Sequence, residues 1–221
     1  MPPDFHPLQL SFFVAAGALL LALPLGIGAA SALRGKKFRG QSVVESLFLL
    51  PLVLPPVVTG FVLLLLLGKR GPVGKVLLNI GWQILFSPWA AILASAIVAF
   101  PLMYQSARAA FASVDSHLED AARCMGAAPL RTFWTITVPL AWPGLVAGAI
   151  LSFARALGEF GATVMVAGNV AGKTLTAPVA IYFAAEEGDF QRAGIYALFL
   201  GVLNLGFMVL VSVISNRKGT R

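Results

Sequence analysis

Catalysis and metal binding need groups that attack, titrate or ligate, and this chain of 221 residues carries few: two histidines, one cysteine and nine carboxylates. His6 and His117 fall at opposite ends of the apolar runs described below, so no nucleophile–base pair or shared metal site is expected from them. Cys124, alone, forms no intrachain disulfide and no metal cluster. The remaining pairing with chemical content is Arg155 and Glu159, within "SFARALGEFGATVMVAGN". At a spacing of i, i+4 the two side chains share a helix face and can neutralise one another. An arginine at the centre of a bilayer costs about 2.5–3.5 kcal/mol on the insertion scale and less near the edge. A charged pair in such a stretch therefore needs a reason, which depends on the elements that hold it.

Those elements are apolar to an unusual degree. Hydrophobic residues make up 58% of the chain and charged residues 11%, against about a quarter charged in ordinary soluble domains. Five runs lack Asp, Glu, Lys and Arg altogether: Pro7 to Leu33, Ser46 to Gly68, Val76 to Ala107, Thr132 to Ala154 and Ala193 to Asn216. Each reaches the roughly 20 residues that cross a bilayer as a helix. The expected fold class is an all-α integral membrane protein of one domain, with five transmembrane helices over about 8–33, 43–68, 87–111, 140–166 and 192–215. The first run has no basic region before it and is too long for a cleavable leader. Ten-residue alternation, the mark of a barrel strand, is missing.

The net charge of +7 sorts to the helix ends and so does not suggest nucleic acid. Arg34, Lys36, Lys37, Arg39, Arg108, Arg123, Arg131, Arg217, Lys218 and Arg221 fall on one side of the predicted spans. Lys69, Arg70, Lys75, Lys173 and Arg192 fall on the other. Ten against five puts the C-terminus in the cytoplasm and the N-terminus outside. Pro51, Pro55 and Pro56 should kink the second helix, and Trp82 and Trp89 suit the interface. Counting 1.5 Å per residue from Leu140 puts Arg155 about 22 Å and Glu159 about 28 Å into a core about 30 Å thick. Gly158 and Gly161 flank Glu159, so the helix can break there.

The longest polar stretch on the cytoplasmic side is 113–139. Ser116 and Glu119 have the S-x-x-E spacing of a capping box. Leu118, Ala121, Ala122 and Met125 follow at helical spacing on one face. Gly126 supplies a C-cap and Pro129 a stop, and "PLRTFWTITV" makes a second short helix. Asp120-Ala121-Ala122, three residues, Gly126, nine residues, Ile136, Thr137 and Val138-Pro139 resemble the cytoplasmic loop of ABC importer permeases, of the form E-A-A, G, I and L-P at those spacings. Asp120 and Val138 depart conservatively from it. "LPLVLPPVVTGFVLL", "FARALGEFGATVMVAGN" and "GKTLTAPVAIY" are similar to the molybdate permeases of that family, with sulfate and tungstate permeases as relatives.

The resemblance implies a type I ABC importer permease fold with cytoplasmic coupling helices. It implies a homodimeric pore, a cytoplasmic ATPase dimer, and an extracytoplasmic binding protein that delivers the oxyanion. The chain has no G-x-x-x-x-G-K-[ST] stretch, so ATP belongs to the partner and no cofactor is expected here. Coupling to the ATPase is assigned to Glu119, Asp120, Ala121, Ala122 and Gly126. For Arg155 and Glu159 two roles stay open: an ion pair stitching the fourth helix in place, or a pair beside the outer gate. Gly161, Thr163, Thr174 and Thr176 would supply donors along that path. Glu186, Glu187 and Asp189 form an acidic outer patch. A self-contained secondary transporter would need internal repeats or an intramembrane relay, and neither is evident.

Overall fold

A computed structural model describes residues 5–36 and 38–216. Lys37, Arg217, Lys218 and Arg221 of the basic clusters lie outside the described residues. Among the described residues all regular structure is helical: α1 His6–Leu33, α2 Gln41–Val53, α3 Pro56–Leu67, α4 Pro72–Asn79, α5 Pro88–Ala112, α6 Ser116–Cys124, α7 Pro129–Thr132, α8 Val138–Leu157, α9 Gly161–Ala167, α10 Ala177–Glu186 and α11 Phe190–Asn216. Four segments are long and apolar enough to cross a membrane: α1, α5, the continuous Pro129–Leu157 and Phe190–Ile214.

The second expected span differs. Instead of one rod over 43–68, α2 and α3 meet at a bend of 110°. The two consecutive prolines explain its position. A residue before proline is pushed out of the helical region. Leu54 precedes Pro55 and Pro55 precedes Pro56, and both are extended, at ψ 141° and 134°. Pro51, by contrast, stays inside α2.

The fourth span also differs from 140–166. Its helix begins at Pro129, passes through a π-helical turn at Phe133–Thr137 and runs on as α8. The ring of Pro139 would press on the carbonyl four residues back. Just before it the helix widens, and Val138 N–H donates to the Phe133 carbonyl five residues back. The span stops at Leu157, and Gly158 to Phe160 separate it from α9. The segment after Lys173 contains a half-helix, α10. The loop between the second and third spans contains α4.

α5 sits at the centre. It packs against α1, α2, α3, α8 and α9, and two-thirds of its apolar window is buried, against 6% for α11. Half of its buried residues are alanine, namely Ala90, Ala91, Ala94, Ala96, Ala99, Ala107 and Ala110, beside the larger Ile92, Val98, Met103, Tyr104 and Phe111. Small residues let helix backbones approach closely. Glycines on the neighbours make room for the larger side chains of α5, since a Cβ on Gly26 of α1 would lie 2.8 Å from Met103 and one on Gly148 of α8 would lie 2.4 Å from Ser106. The ends of α1 and α5 and the start of α8 thereby meet on one side of the bundle, directly above α6.

Candidate functional site

α6 lies beneath the spans, and its ends are built by local chemistry. Asp115, extended at ψ 120°, is the N-cap, and its Oδ1 accepts from His117 N–H at 2.9 Å. The expected capping box is therefore corrected: Ser116 is already the first helical residue. With the cap filled by Asp115, the Glu119 carboxylate turns inward. At the other end Gly126 adopts φ +84°. Its N–H donates to the Arg123 carbonyl at 2.9 Å, and Ala127 N–H reaches back to Ala122 at 3.0 Å. These two bonds are a Schellman cap. A Cβ on Gly126 would meet nothing within 4 Å, so glycine is required by the backbone and not by a neighbour within the chain.

Glu119 is the best-connected group of this region. Its Oε1 accepts from Arg34 Nη1 at 2.6 Å and from Thr137 Oγ1 at 2.5 Å. Arg34, at the end of α1, also donates through Nη2 to the Phe111 carbonyl at 3.1 Å and lies over the Phe111 ring. Burial pushes the Glu119 carboxyl up. The Thr137 and Arg34 hydrogen bonds, with the charges of Arg34 and Arg123, outweigh that and hold it below the ordinary carboxylate value. Nearby, Arg108 of α5 pairs with Glu45 of α2 at 2.7 Å.

The rest of α6 divides into two faces. Ala122 is buried with Glu119. Leu118 and Met125 are 48% and 83% exposed, with Ala121 exposed between them. Asp120 also points outward and pairs with Arg123 at 3.2 Å. Of the five residues assigned to coupling, Asp120, Ala121 and Gly126 are thus presented outward. Glu119 and Ala122 face the spans, which corrects the expectation of a single face shared by Leu118, Ala121, Ala122 and Met125.

At the opposite end of the bundle, Arg155 Nη1 lies 2.7 Å from Glu159 Oε2. Glu159 Oε1 accepts from Ala162 N–H at 2.9 Å. One carboxylate thus closes the end of α8 and holds the first turn of α9 across the break. α9 then lies against α3: a Cβ on Gly161 would come 3.0 Å from Val57 N, and one on Gly60 would come 2.8 Å from Ala162 Cα. Thr174 accepts from Val170 N–H at 3.0 Å and donates to the Gly168 carbonyl at 3.4 Å, fastening the loop before α10. The hydroxyls of Thr163 and Thr176 are buried without a protein partner.

Residues 22–219 match a family described as the inner membrane component of binding-protein-dependent transport systems. The chain belongs to this family. The permease is 46% identical over 201 residues to the permease protein YvgM of Bacillus subtilis (strain 168), covering 90% of this chain and 88% of that one. It is 43% identical over 216 residues to the molybdenum transport system permease protein ModB of Haemophilus influenzae (strain ATCC 51907 / DSM 11121 / KW20 / Rd), covering 97% and 94%. Among solved structures, a bacterial ABC transporter involved in the import of the acidic polysaccharide alginate superposes with a TM-score of 0.75 at 17% identity, over 98% of this chain and 80% of that one. That likeness shows the fold, a type I ABC importer permease.

Within the permease, Arg155 is the one residue of Arg155, Glu159, Gly161, Thr163, Thr174 and Thr176 that is not buried. The arrangement is therefore that of a braced break in a span, with Glu159 as the brace. Two residues that fasten these regions had no signal in the sequence. Arg34 stands 85 positions from Glu119. Ser11 of α1, whose hydroxyl accepts from Ala177 N–H at 2.7 Å and so holds the start of α10, stands 166 positions away. A lone serine in an apolar run gives no hint of that partner.

Proposed function

We propose that the chain is the permease subunit of an ABC importer for molybdate. Two copies form the pore, an ATPase dimer binds below, and an extracytoplasmic binding protein delivers the oxyanion. The N-terminus lies outside and the C-terminus in the cytoplasm. ATP is bound by the ATPase, and the permease itself takes no cofactor. Relatives named for molybdenum transport, similar over nearly the whole chain, support the substrate.

The observation that carries the reading is the outer face of α6. Leu118, Ala121 and Met125 form an exposed apolar strip on a helix outside the spans, which also carries the exposed Asp120–Arg123 pair. Exposed apolar surface beside polar residues marks a contact with another protein. Ala121 is small enough for close approach, and Asp120 offers a carboxylate to a basic partner. The oxyanion path needs weak, sparse contacts, since a tight site would stall release. The unpartnered hydroxyls of Thr163 and Thr176 suit it once the outer end opens.

Reconstitution tests this. In vesicles holding permease, ATPase and ATP, with binding protein outside, labelled molybdate should accumulate. Unlabelled molybdate should compete better than sulfate. Uphill uptake by the permease alone would overturn the reading in favour of a secondary transporter, and preference for sulfate would overturn the substrate.

A further inference from the structure

We propose that Arg34 and Glu119 form a strut that makes α6 move as one body with the ends of α1, α5 and α8. The proposal rests on the reading of α6 as the helix gripped by the ATPase, and it names the positioning residues that pass its motion to the spans.

The reasoning starts from how α6 is attached. It is nine residues long, too short to be a stable unit alone. Its covalent links are 113–115 on one side and 125–128 on the other. Short loops of this kind bend before they transmit a push. Non-covalent ties must supply the stiffness, and they converge on one carboxylate. Glu119 Oε1 takes Thr137 from the π-helical turn leading into α8 and Arg34 from the end of α1. Arg34 carries the tie onward to the last turn of α5 through the Phe111 carbonyl and ring. Three spans and α6 therefore share one node, in which Arg34 joins two of the spans to the helix. Charge-assisted hydrogen bonds of this length are the strong kind, and the forked guanidinium fixes direction as well as distance.

The node also splits the roles of two adjacent acids. Asp120, 62% exposed, faces outward, whereas Glu119, 10% exposed, faces inward. Arg123 lies between them, 3.2 Å from Asp120 and 4.0 Å from Glu119. Neutralising Asp120 would weaken the grip on the ATPase. Neutralising Glu119 would leave the grip and loosen what it pulls.

The test uses the complete importer in vesicles with Glu119→Gln, Arg34→Lys and the exchanged pair Arg34→Glu/Glu119→Arg. ATP hydrolysis and labelled molybdate uptake are measured together. Glu119→Gln and Arg34→Lys should retain hydrolysis while molybdate moved per ATP falls at least tenfold. The exchanged pair should recover part of that loss. Spin labels at the exposed native Cys124 of α6 and at the exposed Ala32 of α1 should give one narrow distance in the otherwise wild-type chain, with or without nucleotide, and a broadened one in Glu119→Gln. Hydrolysis and uptake falling in proportion would overturn the strut, because the pair would then only hold the fold. An unchanged transport ratio or an unbroadened distance would overturn it as well. A wild-type complex that hydrolyses ATP without importing molybdate would sink the parent reading alone, since the label distance still tests the strut.

Discussion

Removing either charge of the Arg155–Glu159 pair should have unequal and non-additive effects. Glu159 is 1% exposed and Arg155 29%. Arg155→Met leaves a carboxylate enclosed, with only the Ala162 N–H as partner. Breaking a buried pair from one side costs about 3–5 kcal/mol. Glu159→Gln keeps an acceptor for Ala162 N–H, and the freed guanidinium can reach water, so the loss is nearer the worth of a hydrogen bond to a charged group, about 1.5–3 kcal/mol. The double variant Arg155→Met/Glu159→Gln strands no charge and keeps the acceptor, so it should lose less than Arg155→Met alone. At about 2–4 °C per kcal/mol, Arg155→Met should lower the melting temperature of the detergent-solubilised permease by about 6–20 °C. The double variant should regain most of that. Thermal unfolding of all four proteins gives the coupling energy directly. If the two single losses simply add, the charges act independently and Glu159 is no brace.

Gly126→Val should leave the chain inserted but lower molybdate uptake several-fold, because a left-handed residue with a β-branched side chain costs about 1–2 kcal/mol and opens the C-terminal cap of α6; uptake per ATP at the wild-type level would refute the role of this cap. Gly60→Leu should disrupt the α3–α9 contact, since its Cβ alone would sit 2.8 Å from the Ala162 backbone; overpacking of this kind costs about 1–3 kcal/mol, readable as a lower melting temperature. The Glu119 carboxyl is held below its ordinary value, so its stabilising effect is complete above the unfolded carboxylate range near 4.3 and is lost as pH falls through the lower folded value. Protection factors of the α6 amides, which remove the intrinsic slowing of exchange with acidity, should therefore be unchanged from pH 7 to about pH 5 and drop below about pH 4, a drop that Glu119→Gln should lack.

The spans are legible because lipid imposes one rule, a long uncharged helical run, and the runs state it openly. Where those runs bend is harder to read. Three prolines near the second run each offered a kink, and only the adjacent pair Pro55–Pro56 forces two consecutive extended residues. The break beside Glu159 was signalled by Gly158 and Gly161. The course of α6 was legible from its spacing and its glycine. Its facing was not, because the inward turn of Glu119 depends on Arg34, in another span, and on Asp115 taking the cap that Ser116 seemed to claim. Thr174 reads as a donor in sequence, yet its loop uses it as a fastener. Side-chain partners far apart in the chain leave no periodic trace.

The way Gly26 of α1 and Gly148 of α8 receive Met103 and Ser106 of α5 bears on how the subunit can rearrange. Long side chains interlock like cogs and must be lifted clear before helices shift. Met103, Tyr104 and Phe111 of α5, each at most 1% exposed, are such cogs, so small sliding displacements of packed helices are resisted where α1, α5 and α8 meet above α6. That end of the bundle is therefore keyed, and a push on it carries the three helices together.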